Sequence, residues 1–131
     1  MSKLIFQRGD IWMVEIDRLT RVNTALQYGK RPCVILSNDK GNFFSSVLSV
    51  IPLTTKRGGK DYPTHVFIEK SIENQMLYDS TALCEQSLTI EKSQALFRIG
   101  KLEEEYIEEI EKAFMITMAL NRFIPGKEEN H

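Results

Sequence analysis

An arginine, a pair of hydroxyls and a run of cations stand at the ends of two apolar stretches. Arg31 precedes Pro32-Cys33-Val34-Ile35-Leu36, and Thr54-Thr55 follows Val50-Ile51-Pro52-Leu53. Lys56, Arg57 and Lys60 come next, around the flexible pair Gly58-Gly59. A guanidinium holds a phosphate with forked donors, and loop cations attract a phosphate backbone. A neighbouring hydroxyl completes a set that suits a phosphodiester. No metal-ligand spacing accompanies it: there is no Cys-x-x-Cys, and the histidines are His65 and the final residue His131. The simplest metal-free route is attack by an RNA's own 2′-OH on the adjacent phosphate, a nucleophile that DNA lacks. Arg31 would stabilise charge on the phosphate in flight. Each residue also has a plainer reading. Arg31 could be a solvated arginine or ion-pair partner, Thr54-Thr55 turn hydroxyls, and the Lys/Arg/Gly run a soluble loop tip.

Other residues join the candidates on weaker grounds. Glu85 directly follows the apolar run Ala82-Leu83-Cys84. It could orient a donor or help relay a proton, or it could accept from backbone amides. His65 comes just after Pro63-Thr64 and leads an apolar run, which favours a hydrogen-bonded structural role over that of a base. Trp12 and Phe43-Phe44 could stack bases, although aromatic residues near strands usually fill cores.

For Arg31 and Thr54 to meet, the stretches that carry them must be adjacent antiparallel strands, as short connections favour. Residues 31–36 suit a strand buried on both faces. Pro32 fits at its start, because it lacks a ladder donor, and this sets Arg31 at the edge after Gly29-Lys30. Asn38-Asp39 stops the strand, and residues 39–45 form a turn or short helix. Residues 46–53 read as the next strand, with Pro52 at its end or at a bulge. Residues 9–16, 64–68, 80–84 and 96–100 read as further strands, and residues 89–92 as a short capped helical turn. Residues 17–30 show no steady period, and a connection of this length is more often functional or mobile than inert.

The clearest helix spans residues 103–122. Ile107, Ile110, Phe114, Thr117, Met118 and Asn121 recur at helical spacing on one face. Glu103, Glu104 and Glu105 suit the first turn, and Glu108 with Lys112 forms an i,i+4 pair. Residues 127–131, past Pro125-Gly126, read as a frayed tail. Short strands followed by one helix predict a mainly β (α+β) fold, a small antiparallel barrel or sandwich with the helix on its side.

The 131 residues suffice for one domain, residues 1–131, with an ordered core of about 7–123. A net charge of −1 supplies no global pull on nucleic acid, so any such site must be a local patch. Cys33 and Cys84 lie in apolar runs and read as buried reduced thiols of a cytosolic protein. Leu4-Ile5-Phe6 is too short for a signal core or a membrane span, so a cytoplasmic location is expected.

The ordered set of motifs resembles the MazF/PemK toxin family. It runs Arg8-Gly9-Asp10-Ile11-Trp12, then Gly29-Lys30-Arg31-Pro32-Cys33-Val34-Ile35-Leu36-Ser37-Asn38, then Val50-Ile51-Pro52-Leu53-Thr54. Pro63-Thr64-His65-Val66, Cys84-Glu85-Gln86 and the closing Ala119-Leu120 continue it, so the resemblance covers residues 7–121. The resemblance implies a CcdB/PemK-like, SH3-like barrel of antiparallel strands with a C-terminal helix, assembled as a homodimer. It implies the toxin of a type II toxin–antitoxin pair, blocked by a cognate antitoxin protein. It implies a cytoplasmic, sequence-specific endoribonuclease that cuts single-stranded RNA without a metal or other cofactor. The products would carry a 5′-OH and a 2′,3′-cyclic or 3′-phosphate.

Carried over by residue, the family arginine falls on Arg31, as general acid or phosphate stabiliser. The family threonine falls on Thr54, holding the scissile phosphate or assisting the 2′-OH. Glu85 matches a position where some members place a functional acid, and Gln27 remains from the stretch before the arginine. With Gln27, the cations Lys56, Arg57 and Lys60 are the expected RNA contacts. The chain also departs from the pattern. Many members have a glutamate and a serine before the arginine where this chain has Thr24-Ala25-Leu26, and an arginine where it has Leu88. Two alternatives stand beside this reading: a gyrase-poisoning toxin of the same fold, and an inactive member that only binds antitoxin or nucleic acid.

Overall fold

A computed structural model describes residues 4–17, 27–55 and 62–120. Among these the elements are β1 (Asp10–Ile16), β2 (Gly29–Ile35), α1 (Asp39–Phe44), β3 (Val47–Thr54), β4 (His65–Ile68), β5 (Ser80–Leu83), β6 (Leu88–Glu91), β7 (Ala95–Lys101) and α2 (Glu104–Met118). Single 3-10 turns occupy Cys84–Gln86 and Lys92–Gln94. The strands form one sheet in the order β4-β5-β3-β2-β1-β7, with β6 paired to β3. Every pairing is antiparallel. This is the mainly antiparallel sheet with a C-terminal helix that the sequence predicts.

The pairing register sorts side chains onto two faces, because directly opposed residues project to the same side. Leu53, Ala82 and Val66 make one row across β3, β5 and β4. They pack with Ile107, Ile110 and Ala113 of α2, together with Ile11, Val34 and Ile51. Burying a side chain such as Ile110, at 0% exposure, contributes about 1.5–3 kcal/mol. A second cluster fills the curl of the sheet: Trp12, Val14, Cys33, Ile35, Leu48, Val50 and Ile90. Gly9 lets β1 start close under the helix. Its φ is +88°, and a Cβ there would meet Ile107 Cδ1 at 2.6 Å.

The structure corrects four local expectations. Pro32 lies inside β2, not at its start, because Gly29 and Lys30 already pair with Ile16 and Glu15 of β1. It is tolerated because the ladder to β3 begins only at Cys33, so β2 is an edge there. Residues 88–91 are β6, paired along β3, and the helical turn follows at Lys92–Gln94. Residue 84 belongs to a 3-10 turn instead of extending β5. Helix α2 stops at Met118, where Ala119 turns left-handed at φ 54° and its N–H returns to Ile116 O. Residues 121–131, with the expected end of the helix and the tail, lie outside the described residues, as do residues 18–26 of the long connection.

Candidate functional site

The site is built on the parting of β2 and β3. Their ladder pairs Ile35 with Val50, Val34 with Ile51 and Cys33 with Pro52. Neither Pro32 nor Pro52 carries the N–H that a ladder uses. The ladder ends there, with Arg31 two residues before Cys33 on β2 and Thr54 two residues past Pro52 on β3. The cation and the hydroxyl therefore stand at the same end of the sheet, across the place where the two strands separate. On its other side β3 remains paired, Leu53 to Ala82 and Thr54 to Thr81 of β5, so Thr54 is held on a rigid strand. Thr54 is 8% exposed.

Arg31 is set apart from the other described arginines. Arg8 holds Glu111 at 2.8 Å, and Arg98 holds Asp10 at 3.3 Å. Among the described residues Arg31 holds no carboxylate. Its Nε donates to the Tyr28 carbonyl at 3.1 Å, which fixes the root of the guanidinium and leaves its two terminal nitrogens paired in one plane. Its field also reaches Cys33, whose thiol is pushed up by burial and pulled back in part by the Arg31 charge.

Glu85 and Gln27 gather beside this seam. The Gln27 backbone N–H donates to Gln86 Oε1 at 3.1 Å, tying the entry to β2 to the 3-10 turn after β5. Gln27 Oε1 is buried with no hydrogen-bond partner. Ile16, Gln27, Pro52, Glu85, Gln86 and Leu88 line a cleft of about 140 Å³. Glu85 Oε2 lies 2.9 Å from His65 Nε2, and the Tyr62 ring meets the His65 ring edge-on at 4.9 Å. His65 is thus hydrogen-bonded, with Glu85 as its partner.

Lys56, Arg57 and Lys60 lie outside the described residues. Trp12 is no base-stacking residue: it is 4% exposed and packs on Phe6 at 4.5 Å. Phe43 and Phe44 are exposed on α1, which follows the far end of β2 from Arg31. Cys33 and Cys84 are buried free thiols. Sequence reasoning passed over Phe67 and Thr81. The alternation His65-Val66-Phe67-Ile68, with Val66 and Ile68 buried and Phe67 exposed, was the available signal.

A family model described as PemK-like, MazF-like toxin of type II toxin-antitoxin system matches residues 7–118. The chain belongs to that family. Solved structures share the fold of this MazF/PemK toxin at low sequence identity. An endoribonuclease in complex with its cognate antitoxin, from a mycobacterial species, superposes with a TM-score of 0.70 at 22% identity, over 88% of this chain and 96% of that one. MazF from Deinococcus radiodurans gives 0.72 at 15% identity, over 89% of this chain and 99% of that one. The Mycobacterium tuberculosis toxin MazF-mt6 gives 0.67 at 20% identity, over 84% of this chain and 96% of that one. Among the described residues, no helix of the toxin is long and apolar enough to cross a membrane.

Proposed function

We propose that this toxin is a metal-independent, sequence-specific endoribonuclease acting on single-stranded RNA. The observation that carries the proposal is the antiparallel pairing of β2 and β3, which brings Arg31, without a carboxylate partner among the described residues, and Thr54 to the same end of the sheet. A phosphodiester held between them meets a planar pair of donors on one side and a hydroxyl on the other. The 2′-oxygen attacks phosphorus, and a 2′-O–P bond forms as the P–O5′ bond breaks. The proton of the 2′-OH passes to solvent or to an assisting group, and the leaving 5′-oxygen takes up a proton. A 2′,3′-cyclic phosphate and a 5′-OH result, and water opens the cyclic ester to a 3′-phosphate. Arg31 stabilises the charge that builds on the equatorial oxygens or acts as general acid to the leaving oxygen. Thr54 holds a phosphate oxygen or the 2′-OH. Its hydroxyl is too weakly basic to be the base, and Glu85 is the assisting carboxylate. Gln27, lining the cleft beside Glu85, contacts the RNA. Lys56, Arg57 and Lys60, which follow β3 in the sequence, attract its backbone.

The toxin works as a cytoplasmic homodimer that a cognate antitoxin silences. In support, Ile116, Met118 and Leu120 leave apolar surface exposed at the end of α2. This surface adjoins a cleft of about 400 Å³ lined in part by Leu36, Val50, Leu88 and Phe114. The mycobacterial relative in fold is itself held by an antitoxin.

The test is incubation of the purified toxin with a long single-stranded RNA in excess EDTA, followed by end-group analysis. Cleavage with 5′-OH ends is expected, reduced about 100- to 1,000-fold or more in Arg31→Ala and Thr54→Ala. Intact RNA with the wild-type protein, alongside trapped gyrase–DNA complexes, overturns the proposal in favour of a gyrase poison.

A further inference from the structure

An exposed aromatic ring stands in line with the proposed phosphate site. Thr54 of β3 pairs with Thr81 of β5, and Thr81 pairs with Phe67 of β4. Directly paired residues share a face, so Thr54, Thr81 and Phe67 form one row across three strands. On the far side of Thr54 from Thr81, Arg31 of β2 stands at the same end of the sheet. With strands about 4.8 Å apart, Phe67 is rooted roughly 10 Å from Thr54 along the row.

The fold does not use this ring as core. Val66 and Ile68, on the face towards α2, are 5% and 0% exposed, whereas Phe67 is 41% exposed. His65 projects to the same face two residues earlier, and Tyr62, 49% exposed, lies against it. A cation, two hydroxyls and then aromatic rings make a surface that changes from phosphate-binding to base-binding chemistry along one line.

We propose that Phe67, flanked by His65 and Tyr62, is the platform on which a base next to the scissile phosphate stacks. This rests on the endoribonuclease reading above. A nucleotide whose phosphate lies between Arg31 and Thr54 has its neighbouring base displaced along the sheet, past Thr81, to the flat apolar face of the ring. Every base has a π-face, so the platform supplies affinity and orientation more than choice of sequence. Its base is firm: the buried side of β4 is fastened to α2 through Val66, Ile68, Ile107 and Ile110.

The test uses Phe67→Leu and Phe67→Trp in the full chain, with mixed-sequence single-stranded RNA. Phe67→Leu is expected to raise KM about 5- to 150-fold, the effect of losing one base–aromatic stack, with kcat and melting temperature nearly unchanged. Phe67→Trp is expected to keep the wild-type KM, and its new indole emission to fall as RNA is added, over a steady background from buried Trp12. A wild-type KM in Phe67→Leu, or indole emission that RNA leaves unmoved, overturns the platform. So does an unchanged KM with weakened antitoxin binding, which assigns the ring to a protein contact. Wild-type protein that leaves RNA whole while the Phe67→Trp emission is quenched overturns the cleavage reading and supports the platform. Cleavage without quenching does the reverse.

Discussion

Replacing Arg31 with lysine keeps the charge and removes the fork. Arg31 Nε is committed to Tyr28 O at 3.1 Å, so the two terminal nitrogens are the ones that can meet a phosphate together. Lysine offers a single rotating ammonium and cannot fill both roles. Losing one preorganised donor from a developing oxyanion costs about 100- to 1,000-fold in kcat, or about 2.7–4 kcal/mol. KM should move little, because the charge that draws the phosphate in is retained. Stability should also move little. The guanidinium is half-buried and holds no carboxylate among the described residues, so the fold loses roughly one hydrogen bond, about 1 kcal/mol or less. The assay is cleavage of an end-labelled RNA at saturating substrate, with urea unfolding of the same preparation. A kcat within about tenfold of wild type would refute the forked-donor role. A loss of activity that follows a loss of several kcal/mol in stability would make Arg31 a structural residue.

One further substitution and one labelling experiment test the scaffold. Asn74 is fully buried; its Oδ1 accepts from Ser71 N and Met76 N at 3.0 Å each, and its Nδ2 donates to Glu69 O at 2.9 Å and Glu103 Oε1 at 3.1 Å. Asn74→Ala orphans the buried Met76 amide and frees the Glu69–Asp79 connection, so urea unfolding should show a loss of about 2–4 kcal/mol. A loss well under about 1 kcal/mol would mean that water replaces the side chain. The Cys84 thiol is pushed up to about 12 by burial, with the Glu85 charge adding, and burial pushes Cys33 up as well. Both stay protonated near neutral pH, so a maleimide should label neither until urea is added, and any slow native labelling should keep rising with pH as thiolate forms. Fast labelling of Cys84 in the native protein would refute its burial.

The antiparallel pairing of β2 with β3 was legible because it needs only local rules. Two consecutive strands joined by a short connection pair antiparallel, and the residues that begin one and end the next then lie at the same end of the sheet. The failures arose where the deciding contact lies far along the chain. The cap signal near Glu91 is real, for its backbone N–H donates to Gln94 Oε1 at 2.8 Å. It caps the turn that follows, however, while Leu88 to Glu91 are drawn into pairing with β3. The end of α2 carried no glycine to announce it, since Ala119 takes the left-handed position. His65 was recognised as a hydrogen-bonded residue, but its partner Glu85 is twenty positions away.

The candidate site depends most on register, which the sequence states only through alternation. Along β3, β5 and β4, residues for the core and residues for the site alternate: Leu53 with Thr54, Ala82 with Thr81, Val66 with Phe67. A slip of one residue in the pairing of β5 would turn Thr81 towards α2 and present Ala82 beside Thr54. The apolar partners of α2 therefore do more than stabilise the helix. Burying Leu53, Ala82 and Val66 is the force that holds Thr54, Thr81 and Phe67 in one line on the opposite face. The geometry of the candidate site and core packing are in this sense one constraint, set by the same three strands.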